Sequence, residues 1–218
     1  MRAALLVVLV ACGGSTRAAA PIAHATPAPA CIADELGTLQ PEWATSSECG
    51  RAPDVCLATC KRGDSNACFN VGLVREREGS DPQARELYER ACRGGHALGC
   101  TNLAAHAWKF HLGPAACAFR VFERSCAANE LMGCAMVGRM LVEAPEVRDV
   151  PRGKAYLERM CEERKGPPCH YLAHYIEDGT LGEADPARAR ALMERACEGD
   201  GDPSACSELS SGGMLPGP

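Results

Sequence analysis

Large apolar residues recur along this chain in a helical beat that is itself repeated. Tyr88, Phe122, Leu157 and Met193 each stand four residues ahead of a cysteine: Cys92, Cys126, Cys161 and Cys197. That i to i+4 spacing stacks the apolar side chain and the cysteine on one helix face, with the Glu-Arg dipeptides between them turned to water. A second pattern follows another set of cysteines, with an apolar residue at plus three and a small one at plus four. It reads Val71-Gly72, Leu103-Ala104, Val137-Gly138, Leu172-Ala173 and Leu209-Ser210, and its small residues let a neighbouring helix approach closely. Asp81-Pro82, Gly113-Pro114, Val150-Pro151 and Asp185-Pro186 set proline at or near a first helical turn, with Asp81 and Asp185 as N-caps. Together these signals predict ten helices, over 53–62, 65–78, 82–93, 97–110, 114–127, 131–142, 151–163, 167–178, 186–198 and 203–210.

The cysteines supply the ruler. Ten of the fifteen fall into five pairs, Cys60/Cys68, Cys92/Cys100, Cys126/Cys134, Cys161/Cys169 and Cys197/Cys206, with seven residues inside each pair and eight in the last. From the first member of one pair to that of the next the steps are 32, 34, 35 and 36 residues, the period of a two-helix unit stacking on copies of itself. A tight antiparallel turn brings the end of one helix beside the start of the next, within reach of a disulfide. Closing a loop of about nine residues stabilises by about 2.6 kcal/mol in the chain-entropy model. Zinc binding by the same cysteines needs clusters of four at closer spacing. The fold expected is an all-α solenoid of αα-hairpins, stapled by disulfides.

Such staples need an oxidising compartment, and the N-terminus points to one. Met1-Arg2 precedes an apolar run, Ala3 to Val10, and then Ala11-Cys12-Gly13-Gly14. This reads as a lipoprotein signal peptide over 1–11, cut ahead of a lipidated Cys12. The remaining cysteines are then disulfide candidates. Two or more acyl chains at Cys12 anchor stably to a membrane. Gly13 is not the aspartate of inner-membrane retention, which favours the outer membrane for a protein facing the periplasm. Residues 12–30 carry several prolines and no apolar period, so they read as a tether with a reach of roughly 20–25 Å. An N-terminal capping segment over 31–52, the repeats over 53–210 and a disordered tail over 211–218 complete the division. Removal of Arg2 leaves 22 basic and 28 acidic residues, a net charge of −6, with signs interleaved along the helices. No basic stripe supports nucleic-acid binding.

In register, Ala91-Cys92-x7-Cys100-Thr101-Asn102-Leu103-Ala104 and its copies, from about Cys56 to Leu209, resemble the cysteine-rich branch of the Sel-one-like repeat (SLR) proteins, relatives of tetratricopeptide arrays. The resemblance implies a right-handed αα superhelix that serves as a scaffold for a protein or peptide partner. Some cysteine-rich SLR proteins carry a β-lactamase or penicillin-binding label, which makes an enzyme the alternative expectation. The chain has no Gly-x-Ser-x-Gly elbow, no serine followed three residues later by lysine, no His-Glu-x-x-His and no phosphate-cradling glycine loop. The expectation is therefore a binding protein with no catalytic residue, cofactor or metal.

Cys31, Cys49, Cys56 and Cys117 allow three pairings; a bridge within the cap is favoured, leaving Cys117 free and buried. His170 and His174, four apart beside Cys169, have the spacing to share a metal, but the reading preferred is a bridged Cys169 and histidines solvated or packed between repeats. His106 and His111 read as surface. A partner groove is expected on the concave side, at positions two and five after each second cysteine. These are Asn70, Asn102, Met136 and Tyr171, then Leu73, Ala105, Arg139 and His174, with Lys109 one turn further on. The partner contacts expected are Asn70, Asn102, Lys109, Arg139, Tyr171 and His174, with asparagine amides clamping a partner's backbone and Tyr171 as anchor.

Overall fold

The computed structural model describes residues 31–40, 47–198 and 201–212. The signal peptide, Cys12, the tether and Trp43 lie outside them. Eleven α-helices are described: α1 (Ser47–Arg51), α2 (Pro53–Lys61), α3 (Ser65–Arg77), α4 (Asp81–Arg93), α5 (Ala97–Lys109), α6 (Ala115–Ala127), α7 (Leu131–Glu143), α8 (Val150–Arg164), α9 (Pro167–Glu177), α10 (Pro186–Cys197) and α11 (Pro203–Ser211). The ten predicted helices all appear, each bound within one residue of its expected place. The added elements are α1 and a short 3-10 turn, Ile32–Asp34.

Four of the five hairpins close by the same local chemistry. Four residues before the second cysteine an acceptor side chain caps the incoming helix: Asp64 takes the Ala67 N–H (2.8 Å), His96 Nδ1 that of Gly99 (3.1 Å), Glu130 those of Met132 and Gly133 (2.8 and 2.6 Å), and Asp202 that of Ser204 (2.8 Å). Three residues after the first cysteine the chain turns through positive φ, at Gly63, Gly95 and Asn129. The fourth hairpin departs from this: Lys165 and Gly166 both take positive φ, and Pro167 opens α9 without a side-chain cap. On the even helices Asp185 caps α10 as expected and Asp149 caps α8 in the same way. Asp81, by contrast, is the first residue of α4, and Ser80 occupies the cap position.

Five bridges staple the hairpins as the spacing predicted, with Cα separations of 4.4 to 4.8 Å. Two more join Cys49 to Cys56 and Cys31 to Cys117. The first ties the capping segment to α2. The second corrects the expectation of a free Cys117, because the chain from Cys31 folds back across the solenoid as a strap. Arg124 donates to the carbonyls of Ala33 and Gly37 (2.7 and 2.8 Å), and Arg120 pairs with Asp34. Further along, Gln40 exchanges backbone hydrogen bonds with the α4–α5 turn, through Gly95 and Ala97. The strap therefore runs from the third hairpin back to the second, against the direction of the repeats.

Packing couples the two apolar patterns. Odd and even helices alternate, and α7 touches α5 and α9 as well as its sequence neighbours, so α5, α7 and α9 adjoin along one face. The small residue of one repeat receives the large residue of the next: a Cβ at Gly72 would stand 2.6 Å from the Tyr88 ring, and one at Gly138 2.4 Å from Leu157. Tyr88 and Leu157 are both fully buried. Overpacking of this kind typically costs about 1–3 kcal/mol. Gly138→Val is accordingly expected to lower the urea midpoint of unfolding by the equivalent of ~2 kcal/mol, and an unchanged midpoint would show that Leu157 has room to move. The core divides into two clusters, one running from Ala33 to Ala144 and one from Val142 to Ala205. The strap belongs wholly to the first.

Candidate functional site

The residues expected to line a groove lie on the odd helices, and the structure sorts them. Asn70 is buried at 4% exposure, and its amide donates to the Asn66 carbonyl and side-chain oxygens (2.8 and 3.0 Å). Met136 is buried too. Asn102 is half-buried beside Tyr88. The Asn70 amide thus serves contacts within its own helix.

Arg139 and Tyr171 come together, and with them a residue the sequence reading had not placed. The Arg139 guanidinium lies 5.0 Å from the Trp108 ring centre and 5.4 Å from that of Tyr171, so one cation is layered between aromatic faces from α5 and α9. Its Nε donates to Glu143, one turn on (3.0 Å). Burial disfavours the Arg139 charge, but Tyr171 and Glu143 outweigh it and raise the pKa. The buried Tyr175 hydroxyl donates to the other oxygen of Glu143, and its pKa is raised by burial and by that carboxylate. The Tyr171 hydroxyl points at the Met136 sulfur (3.8 Å).

A cavity of about 510 Å³ opens beside this stack, lined by Glu76, Ala105, Trp108, Lys109, Met136 and Arg139 among others. At its far wall Glu76 accepts from the Tyr88 hydroxyl (2.6 Å) and meets His106 Nε2 (2.9 Å). Burial pushes the Glu76 pKa up, yet these two hydrogen bonds hold it below its usual value. His106 is 4% exposed, not a surface residue as expected, because it packs edge-on to Tyr88. Lys109 is exposed at the rim, its Nζ 4.9 Å from the Phe110 ring centre. Two cations, a large aromatic face and one carboxylate thus surround a concave space. Such a surface can take up an aromatic or acidic side chain together with a stretch of polar backbone.

His174 is drawn away from this group. It faces α11, with Nε2 3.0 Å from Glu208 and 3.1 Å from His170 Nε2. His170 is mostly buried and bonds Asp202 and Glu208. Burial opposes its charge, but those two carboxylates prevail and raise its pKa. The missed residue Trp108 had a signal in the sequence: it stands three after Ala105, on the same helical stripe. Glu143 had one as well, since it stands four after Arg139 on the same helix, whereas Glu76 had none because its partners Tyr88 and His106 come from the next repeat.

No protein-family model matches the chain, and no curated protein does. Among solved structures it is similar to c5321, a protective antigen present in uropathogenic Escherichia coli strains displaying an SLR fold, at 20% identity and a TM-score of 0.50, over 64% of this chain and 31% of that one. It is similar also to a Sel1 repeat protein from Oxalobacter formigenes, at 19% identity and a TM-score of 0.53, over 64% of this chain and 59% of that one. The chain thus spans between about a third and three fifths of these two structures. The likeness is one of fold: an all-helical SLR solenoid.

Proposed function

We propose that this SLR-fold solenoid is a binding scaffold whose inner face, along α5, α7 and α9, receives a protein or extended peptide segment, and that an acylated Cys12 holds it at the cell envelope, facing the periplasm. The observation that carries the first part is Arg139 layered between Trp108 and Tyr171 beside an open cavity. Arginine, tryptophan and tyrosine are the residues that dominate binding energy at protein interfaces. A stack preassembled from three helices also meets its partner with little ordering left to do. Support for export comes from the seven disulfides, which persist in oxidising compartments. Among the described residues no helix is long and apolar enough to cross a membrane.

The test uses the oxidised protein as bait beside a Trp108→Ala/Tyr171→Ala variant, with captured partners cross-linked and their contact residues mapped. A partner that maps to α5–α9 and binds the variant at least ~10-fold more weakly is the expected result, given the usual hot-spot magnitude. Equal retention by both, or cross-links confined to the even helices, would move the site elsewhere. Separately, Cys12→Ala is expected to abolish incorporation of labelled palmitate and to shift the protein out of the membrane fraction.

A further inference from the structure

Beyond the groove, the end of the solenoid carries a cluster with a different chemistry. His170 and His174, one turn apart on α9, face Glu208 on α11. The two Nε2 atoms are 3.1 Å apart; Glu208 Oε1 stands 3.1 Å from His170 Nε2, and Glu208 Oε2 3.0 Å from His174 Nε2. Behind His170, its Nδ1 lies 2.7 Å from Asp202, a carboxylate that also caps α11 through the Ser204 N–H. Behind His174, Nδ1 faces Glu177 at 3.8 Å.

With Glu208 ionised, protons alone leave this triangle unsatisfied. If both Nε2 atoms carry hydrogen, each serves one oxygen of Glu208 but the two N–H groups confront each other at 3.1 Å. If only one does, the other nitrogen presents a lone pair to a carboxylate oxygen at hydrogen-bond distance. A cation among the three groups satisfies every contact at once. We propose that His170 Nε2, His174 Nε2 and the Glu208 carboxylate bind a zinc ion, with water in the fourth position. Two imidazoles and one carboxylate form a three-ligand zinc set with an open position, and nitrogen donors select zinc over magnesium or calcium. Asp202 holds the Nδ1 proton of His170, which directs the Nε2 lone pair to the ion, the usual second layer of a zinc–histidine site. His170 and Asp202 are 12% and 5% exposed at the side chain, whereas His174 and Glu208 are 42% and 36% exposed. The supporting half is thus fixed in the protein, and the open coordination position faces solvent. Bound zinc ties α9 to α11 directly, across the α10–α11 hairpin.

The experiment is calorimetric titration of the oxidised, chelator-treated protein with zinc chloride, with cobalt(II) as a spectroscopic stand-in. Expected are one zinc per chain, intense cobalt absorption of a four-coordinate site, and a raised melting temperature on loading. Glu208→Gln and His174→Ala are expected to abolish stoichiometric uptake while keeping the helical circular dichroism of the parent. Asp202→Asn is expected to weaken binding ~10–100-fold, the usual effect of removing a supporting carboxylate. A parent protein that takes up no zinc, or Glu208→Gln and His174→Ala variants that bind it as tightly as the parent, would overturn the assignment. Neither outcome bears on the groove, which is tested through Trp108 and Tyr171.

Discussion

Replacing Cys31 and Cys117 together by alanine is expected to lower stability more than removing any other bridge in the molecule. The chain-entropy model scales with the loop closed, and this one spans 86 residues where the hairpin bridges span eight or nine. The expected loss is about 4.6 kcal/mol against about 2.6 kcal/mol for a hairpin pair. For a protein of this size that corresponds to a fall in melting temperature on the order of 10–15 °C. The strap also loses its fixed end, so the Arg124 bonds to Ala33 and Gly37 and the Arg120–Asp34 pair exchange with water. Hydrogen exchange locates the damage: amides from the strap through α6 should lose protection while those of α9 to α11 keep theirs. This division is expected because the strap sits in one core cluster and the terminal repeats in the other. A shift no larger than that of a Cys197→Ala/Cys206→Ala variant would mean that the strap is already ordered without its bridge.

Acid is expected to weaken the fold well above the carboxylate range, through His96. The imidazole is 1% exposed, stacks on Phe69 at 4.3 Å between ring centres, and burial pulls its pKa down to about 4. Its Nδ1 accepts the Gly99 N–H, so it must be unprotonated there for the cap to hold. The unfolded chain takes up the proton near pH 6.5 while the folded protein refuses it until about pH 4. Stability is therefore constant from this source above pH 6.5 and falls as pH drops between those values, by up to ~3 kcal/mol. His170 has the opposite sign: its raised pKa adds stability as pH falls toward 6.5 and nothing more below. Below pH 6.5 His170 therefore adds no further change, and the share of His96 is read as the difference between the parent and a variant that cannot ionise there. Urea titrations from pH 6.5 to 4 should show a steep decline for the parent and a flatter one for His96→Asn, which keeps a capping oxygen but cannot ionise. His96→Asn should start lower at pH 7, having lost the ring on Phe69. Parallel declines in the two proteins would assign the acid sensitivity elsewhere.

How much was legible in the sequence follows from the range of each interaction. Helix bounds were, because caps, prolines and the i to i+4 pairing of Tyr88 with Cys92 act within a turn or two. The five hairpin bridges were, because a tight turn fixes both ends of a short loop. The Cys31–Cys117 bridge was not: its geometry depends on a strap crossing helices whose relative positions no local pattern encodes. The capping role of His96 and Glu130 was hidden for another reason. Neither resembles Asp64 or Asp202, and only the alignment at four residues before the second cysteine exposes the shared task. Register placed Arg139 and Tyr171 on one face, where the structure stacks them, but it could not show that Asn70 bonds Asn66, because register gives a face and not a side chain's partners. The His170–His174 spacing was visible, but Glu208, which converts it from a pair to a triangle, comes from the next repeat.

The strap also has a bearing on how the chain is made. Cys31 leaves the ribosome 86 residues before its partner, and six other cysteines, from Cys49 to Cys100, emerge between them. An oxidant that joined each cysteine to the next one available would make Cys31–Cys49, Cys56–Cys60, Cys68–Cys92 and Cys100–Cys117. Every one of these is wrong. From Cys126 onward the same indiscriminate rule gives the native set, Cys126–Cys134, Cys161–Cys169 and Cys197–Cys206. A single long bridge therefore puts the first eight cysteines out of step with their order of appearance. That half of the molecule reaches its pairing only if its hairpins close before they are oxidised, or if thiol–disulfide exchange undoes the early errors.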